Sequence, residues 1–214
     1  MDAIETTISL GYTIVPLGQT CDVSNLLQNC NQKTYTSLFE WFYVVNLSSV
    51  SNLLKKIHNN FPVNLYDHPE GCVCIDTYDI HSVHYSKENF VDIFERRSKR
   101  LIEQIKTSKN LLFVRVDNDF TKYTYEDIDE FSNVIKDINP TCENIKLLLI
   151  TYEKVGFSHA ILHNVTHNIQ LNNPGGIGGC MLEPMNTLFV NSLKNIGYVF
   201  KEPIDITFND KTTF

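Results

Sequence analysis

The chain has 214 residues, 43% of them hydrophobic and 20% charged, which are ordinary values for one globular α/β-sized domain spanning 1–214. A domain of this length buries ~70% of the surface its unfolded chain exposes, so it needs no disulfide or metal to hold it together. The formal net charge of -7 argues against a dominant nucleic-acid or anionic-membrane surface.

The first residues, MDAIETTISLGYTIV, lack a basic stretch followed by a long apolar one, and no apolar run approaches the ~20 residues of a membrane span. The expectation is a cytoplasmic protein whose six cysteines are thiols. Of these, Cys72 and Cys74 lie near His68, and a Cys-x-Cys pair on a strand shares one face. A second ligand pair at zinc-like spacing is missing, so neither a metal nor another cofactor is expected.

The first predicted element is a strand at Tyr12–Gly18, in which Pro16 is awkward for a central position. A short helix follows at Val23–Gln28 with Asp22 as its N-cap. Val50, Leu53, Leu54 and Ile57 mark an amphipathic helix inside a region, 30–72, that reads as an inserted helical cap. Val73–His84 reads as extended with a break. Ser86–Lys106 reads as a long helix with Phe90, Phe94, Leu101 and Ile105 on one stripe. Leu111–Val116 is an apolar strand interrupted by Arg115. Thr124-x-x-Asp127 has the form of a capping box, and the helix behind it carries Ile128, Phe131, Ile135 and Ile138 until Pro140 stops it. Ile145–Ile150 and Asn168–Leu171 read as further strands, Pro174–Gly179 as a glycine loop, and Met185, Leu188, Phe189 and Leu193 as a last helix. Apolar strands separated by helices predict a three-layer α/β sandwich with a largely parallel sheet, Rossmann-like or SGNH-hydrolase-like.

Ligands of open parallel sheets bind beyond the carboxyl ends of the strands. That rule gathers Cys21, His84, Arg115, Asp117, Asn118, Asp119, Thr151, Tyr152 and Glu153 along one rim. Cys21 also precedes a predicted helix, whose N-terminal partial charge favours thiolate. Seven histidines compete for the role of base; of the pair His81 and His84, His84 lies closer to the rim. Arg97 falls on the apolar stripe of the long helix and Arg115 inside an apolar strand, so each needs a partner, either a structural acceptor or an anionic substrate group. The glycine loop lacks the Lys-Ser/Thr of a P-loop and the spacing of a dinucleotide fingerprint.

Several short motifs occur in a shared order: Leu17-Gly18-Gln19-Thr20-Cys21, Leu38-Phe39-Glu40-Trp41, His84 before Arg96-Arg97-Ser98-Lys99-Arg100-Leu101, and Phe113-Val114-Arg115. Over roughly residues 12–150 this resembles a domain-of-unknown-function family classed with papain-like cysteine peptidases. The family has Pro-Phe-Asp-Trp where this chain has Leu38 and Glu40, and a Ser where this chain has Pro16. The resemblance implies a cysteine peptidase-like activity.

The leading expectation is a Cys-dependent hydrolase or acyl transferase acting on an anionic substrate. Cys21 is its nucleophile and His84 its general base, with Asp117 or Glu153 orienting the imidazole. Arg97, Arg115, Trp41 and Gly18 are the expected substrate-binding residues. One alternative is a nucleotide or nucleotide-sugar binding protein or transferase that uses the Arg-lined rim without a covalent step. Another is a non-catalytic interaction protein on an enzyme-like fold, with aromatics around Phe39–Tyr43 as its contact patch. The partner is then an anionic substrate or a protein, not nucleic acid and not a membrane.

Overall fold

The computed structural model describes residues 11–18, 22–29, 35–69, 72–82, 84–117, 124–151 and 167–170. Eight strands and four helices occur among them, in the order β1 (Thr13–Pro16), α1 (Asp22–Asn29), β2 (Tyr43–Val44), α2 (Leu47–His58), β3 (Leu65–Asp67), β4 (Val73–Ile75), β5 (Thr77–Ser82), α3 (Lys87–Thr107), β6 (Asn110–Asp117), α4 (Tyr125–Ile138), β7 (Asn144–Thr151) and β8 (His167–Gln170). The architecture is α/β, with two sheets of four strands.

The first sheet runs β1-β6-β7-β8, and every described pairing in it is parallel. Its central strands β6 and β7 alternate two apolar sets. Leu111, Phe113, Ile145, Leu147 and Leu149 enter the main core with residues of α2, α3 and α4. Phe113 meets Phe131 of α4 edge-on at 4.9 Å. Leu112, Val114 and Leu148 are buried outside that core. The short α1 lies against β6, and its own buried Val23, Leu26 and Leu27 also stand outside the main core. Strands buried on both faces read as continuous apolar runs, which is why the periodicity of 111–116 and 145–150 is so plain. Pro16 sits on β1, at the end of the strand order, where a missing N–H costs no ladder bond on the open side.

The second sheet corrects the predicted layout. Its order is β2-β5-β4-β3, all antiparallel, so Val73–His84 supplies two strands of a separate sheet rather than a strand of the parallel one. The break between β4 and β5 is Asp76, at φ 61, and the register shifts just before it, between Cys74 and Ile75. The region 30–72 is not a helical insertion: its described part contains β2, α2 and β3. One face of this sheet places Val44, Val73, Ile75 and Ile80 in the main core. The other carries Tyr43, His81, Cys74 and Tyr66 in one register row.

The helices begin where the sequence supplies caps. Asn46 Oδ1 accepts from the Ser49 N–H at 2.7 Å and opens α2. Thr124 and Asp127 form the reciprocal capping box of α4. Ser86 precedes α3 without a side-chain cap bond. The buried residues of α3 are Phe90, Arg97, Ser98, Leu101, Ile102 and Ile105, whereas Phe94 is half-buried. The predicted glycine loop 174–179 and last helix fall outside the described residues.

Candidate functional site

The site is organised around residues 35–44, which connect the two sheets. After β1, the Leu17 N–H continues the ladder to Val114 O at 2.9 Å. Gly18 then takes φ 77, a left-handed conformation that disfavours any side chain. A Cβ there would stand 2.9 Å from Val44 Cγ2 and 3.2 Å from Phe42 O. Gly18 is therefore the residue that lets the end of β1 press against Phe42 and Val44.

A second anchor reaches the same segment from α1. Glu40 is 1% exposed, and its carboxylate accepts from the Ser37 N–H at 2.7 Å and from Ser24 Oγ at 3.1 Å. Ser24 belongs to α1. The apolar Leu38, Phe39 and Phe42 around Glu40 are all buried, so the carboxylate replaces lost water with these donors. Trp41 follows at φ 68.

His84 rests on Trp41. The two rings meet edge-on with centroids 5.3 Å apart. The backbone is pinned too: the His84 N–H donates to Ser82 Oγ at 3.1 Å, and the Ser82 hydroxyl donates to Trp41 O at 2.8 Å. His84 itself is exposed, so its imidazole is accessible. His81 is arranged otherwise, with Nδ1 2.9 Å from Tyr78 O and its ring stacked on His68 at 4.8 Å.

Arg115 projects from β6 on the side of Leu111 and Phe113 and is wholly buried. Its guanidinium donates to Leu17 O at 3.3 Å, Val44 O at 2.8 Å and Val45 O at 3.3 Å. These carbonyls belong to the chain just after β1 and to the end of β2, so Arg115 ties the parallel sheet to the antiparallel one. The partner that the sequence demanded for this buried cation is thus backbone, at least in these three bonds.

Arg97 is 7% exposed. Its NH2 group donates to Tyr85 Oη at 2.8 Å and its NH1 group reaches Ser37 O at 3.5 Å, with the guanidinium carbon 5.3 Å from the Tyr85 ring centre. Arg100, one turn on, donates to Thr36 O at 2.7 Å and lies 4.8 Å over the Tyr35 ring.

Of the predicted site residues, Gly18, Trp41 and His84 come together around residues 40–44, with Arg97 and Arg115 on either side. Asp117 closes β6 opposite Thr151 of β7, and its side chain is outside the described residues. Cys21 and Glu153 are also outside them. Two of the described thiols, Cys74 and Cys142, are poor nucleophiles. Burial, then Cys72 and Asp67, push the Cys74 thiol up to about 11. Burial likewise raises Cys142, whose sulfur contacts Lys109 O and Asn144 O at 3.3 Å each. Among the described residues no three His, Cys, Asp or Glu side chains form a group able to hold a metal ion, His68, Cys72 and Cys74 included. No helix among them is long and apolar enough to cross a membrane.

Sequence reasoning misses several residues of the site, among them Glu40, Ser82, Ser24, Ser37 and Tyr85. Glu40 had a usable signal, a lone carboxylate in the apolar run Leu-Phe-Glu-Trp. Ser82 had none. Comparison with known proteins finds no matching family model, no matching curated protein and no matching solved structure.

Proposed function

We propose that the chain is a cysteine-dependent hydrolase or acyl transferase in which Cys21 is the nucleophile and His84 the general base. One observation carries this reading. Both flanks of Cys21 are anchored on residues 40–44, Gly18 by close packing and Ser24 through Glu40, and His84 rests on the same segment. Cys21 also follows a strand of the parallel sheet and precedes α1, the position where ligands and nucleophiles of such sheets collect. The arrangement fits a three-layer α/β fold, with α1 on one face of the parallel sheet and α3 and α4 on the other. It also fits the family resemblance of the motifs at residues 17–21, 38–41 and 113–115.

In the reaction, His84 takes the Cys21 proton and the thiolate attacks an acyl carbonyl, forming the carbon–sulfur bond. The imidazolium returns the proton to the leaving group as its bond to the acyl carbon breaks. Water, or another acceptor in a transfer reaction, then releases the acyl group from sulfur by the reverse sequence. N–H groups at the start of α1 hold the developing oxyanion. Asp117 or Glu153 orients the imidazole. A thiol nucleophile suits a reducing compartment, the cytoplasm. The nucleotide-binding alternative is weaker, because Arg115 is fully buried and bonded to three backbone carbonyls rather than lining an open rim.

The test is the rate of Cys21 alkylation against pH, with Cys21→Ala as the blank. A thiolate paired with imidazolium titrates well below the ~8.5 of a free thiol, and His84→Ala moves it back. An ordinary Cys21 titration that ignores His84→Ala would sink the proposal.

A further inference from the structure

We propose that Tyr35, Ser37, Arg97 and Arg100 form a binding site for a phosphoryl oxyanion. The two guanidiniums straddle consecutive carbonyls, Thr36 O and Ser37 O, so they stand side by side along residues 35–37. Among the described residues neither has a carboxylate within ion-pair distance. Among the described residues Arg97 donates hydrogen bonds only to one hydroxyl and, at 3.5 Å, one carbonyl, beside its contact with the Tyr85 ring, although it is 7% exposed. A buried guanidinium with so few acceptors around its N–H groups is strongly unfavourable. Arg115 shows the contrast within the same molecule, with three carbonyls around its fork.

The hydroxyls point to the same conclusion independently. Ser37 is 2% exposed, and its Oγ has no hydrogen-bond partner. Tyr35 Oη and Arg100 Nε are also buried without partners. Buried polar atoms are almost always satisfied, so two open hydroxyls and an open guanidinium N–H along this segment describe a place where acceptor oxygens belong. Glu40 is bonded to the Ser37 amide and offsets one of the two positive charges, leaving a net excess of cation. Paired guanidiniums with added hydroxyl donors suit the several oxygens of a phosphoryl group better than the two of a carboxylate.

The site adjoins the proposed thiol centre. Tyr85, which holds Arg97, follows His84 in the chain, and Glu40, which holds Ser37, precedes Trp41. Its use as a substrate subsite therefore rests on the thiol–imidazole reading, while anion binding itself does not.

The experiment is thermal unfolding of the full chain in inorganic phosphate, acetate and chloride at matched ionic strength. Phosphate about a hundredfold above its Kd should raise Tm by about 5–10 °C, and chloride should not. Arg97→Met should abolish that shift without lowering Tm in chloride, because removing an unpaired buried cation leaves stability equal or higher. Ser37→Ala should weaken phosphate binding several-fold and serves if Arg97→Met does not fold. Cys21→Ser should keep the phosphate shift whether or not Cys21 is a nucleophile, which separates the two proposals. Equal Tm in phosphate and chloride, an equal shift with acetate, or a full phosphate shift in Arg97→Met each overturns the assignment.

Discussion

Arg115→Ala separates the two uses of a buried arginine. The wild-type side chain, 0% exposed, donates to Leu17 O, Val44 O and Val45 O at 3.3, 2.8 and 3.3 Å. Hydrogen bonds to a charged group contribute about 1.5–3 kcal/mol each, and a buried carbonyl left unsatisfied costs about 1–3 kcal/mol. These terms overlap, and water entering the vacated space recovers part, so the expected net loss is about 4 kcal/mol. That is a large share of the roughly 5–15 kcal/mol that holds a domain folded. For a chain of this length it corresponds to a fall in Tm of roughly 8–16 °C. Urea unfolding, with the midpoint and slope fitted separately, measures it. Arg115→Lys should recover only part, because one ammonium cannot reproduce the planar fork. A loss under about 1 kcal/mol, or a gain, would refute the reasoning and return Arg115 to the role of a cation awaiting a ligand.

Gly18→Ala should destabilise by about 2–4 kcal/mol, combining the left-handed backbone with the 2.9 Å contact to Val44 Cγ2; a shift below about 0.5 kcal/mol in chemical denaturation would show that residues 42–44 yield freely. Thr124→Ala removes one side of the capping box and should cost ~1 kcal/mol, read from the same curves. Cys74 should resist alkylation at pH 8 in the native protein and react on unfolding, measured by mass spectrometry of labelled peptides. Its raised value also gives a pH dependence. The folded thiol keeps its proton to about 11 while the unfolded one titrates near 9.0, so its stabilising contribution is complete below that lower value and is lost as pH climbs through the interval. Cys74→Ala should flatten that part of the stability profile, and an unchanged profile would argue against it.

Much of the parallel sheet and its helices could be read directly from residue order. The capping box at Thr124 and Asp127, the stripe Ile128, Phe131, Ile135 and Ile138, and the runs 111–116 and 145–150 are local signals, and local signals survive folding. Of the antiparallel sheet, β4 and β5 were legible as the broken extended stretch Val73–His84, but β2 and β3 were not, because Tyr43–Val44 and Leu65–Asp67 have too few residues to establish a period of two. Asp76 at φ 61 further breaks the alternation between β4 and β5. At the site, the need of Arg115 and Arg97 for partners followed from their apolar surroundings. The identity of those partners did not follow, because the backbone carbonyls of Leu17, Val44 and Ser37 carry no sequence signature. The rim placement of His84 rested on assigning Val73–His84 to the parallel sheet, whereas the structure brings His84 to Trp41 through the antiparallel β2–β5 pairing and the Ser82 bridge.

The arginine tie also sets an order of events during synthesis. Arg115 lies 98 residues after Leu17 and 71 after Val44, the carbonyls it holds. β1 likewise finds its only described strand partner in β6. While the first hundred residues emerge, the antiparallel sheet and α2 can form from near neighbours, but the end of β1 has nothing to pair with. Closing a loop of such length is slow compared with forming a helix or hairpin. A truncated chain ending before Arg115 therefore carries Leu17, Val44 and Val45 but lacks the guanidinium that ties their carbonyls together.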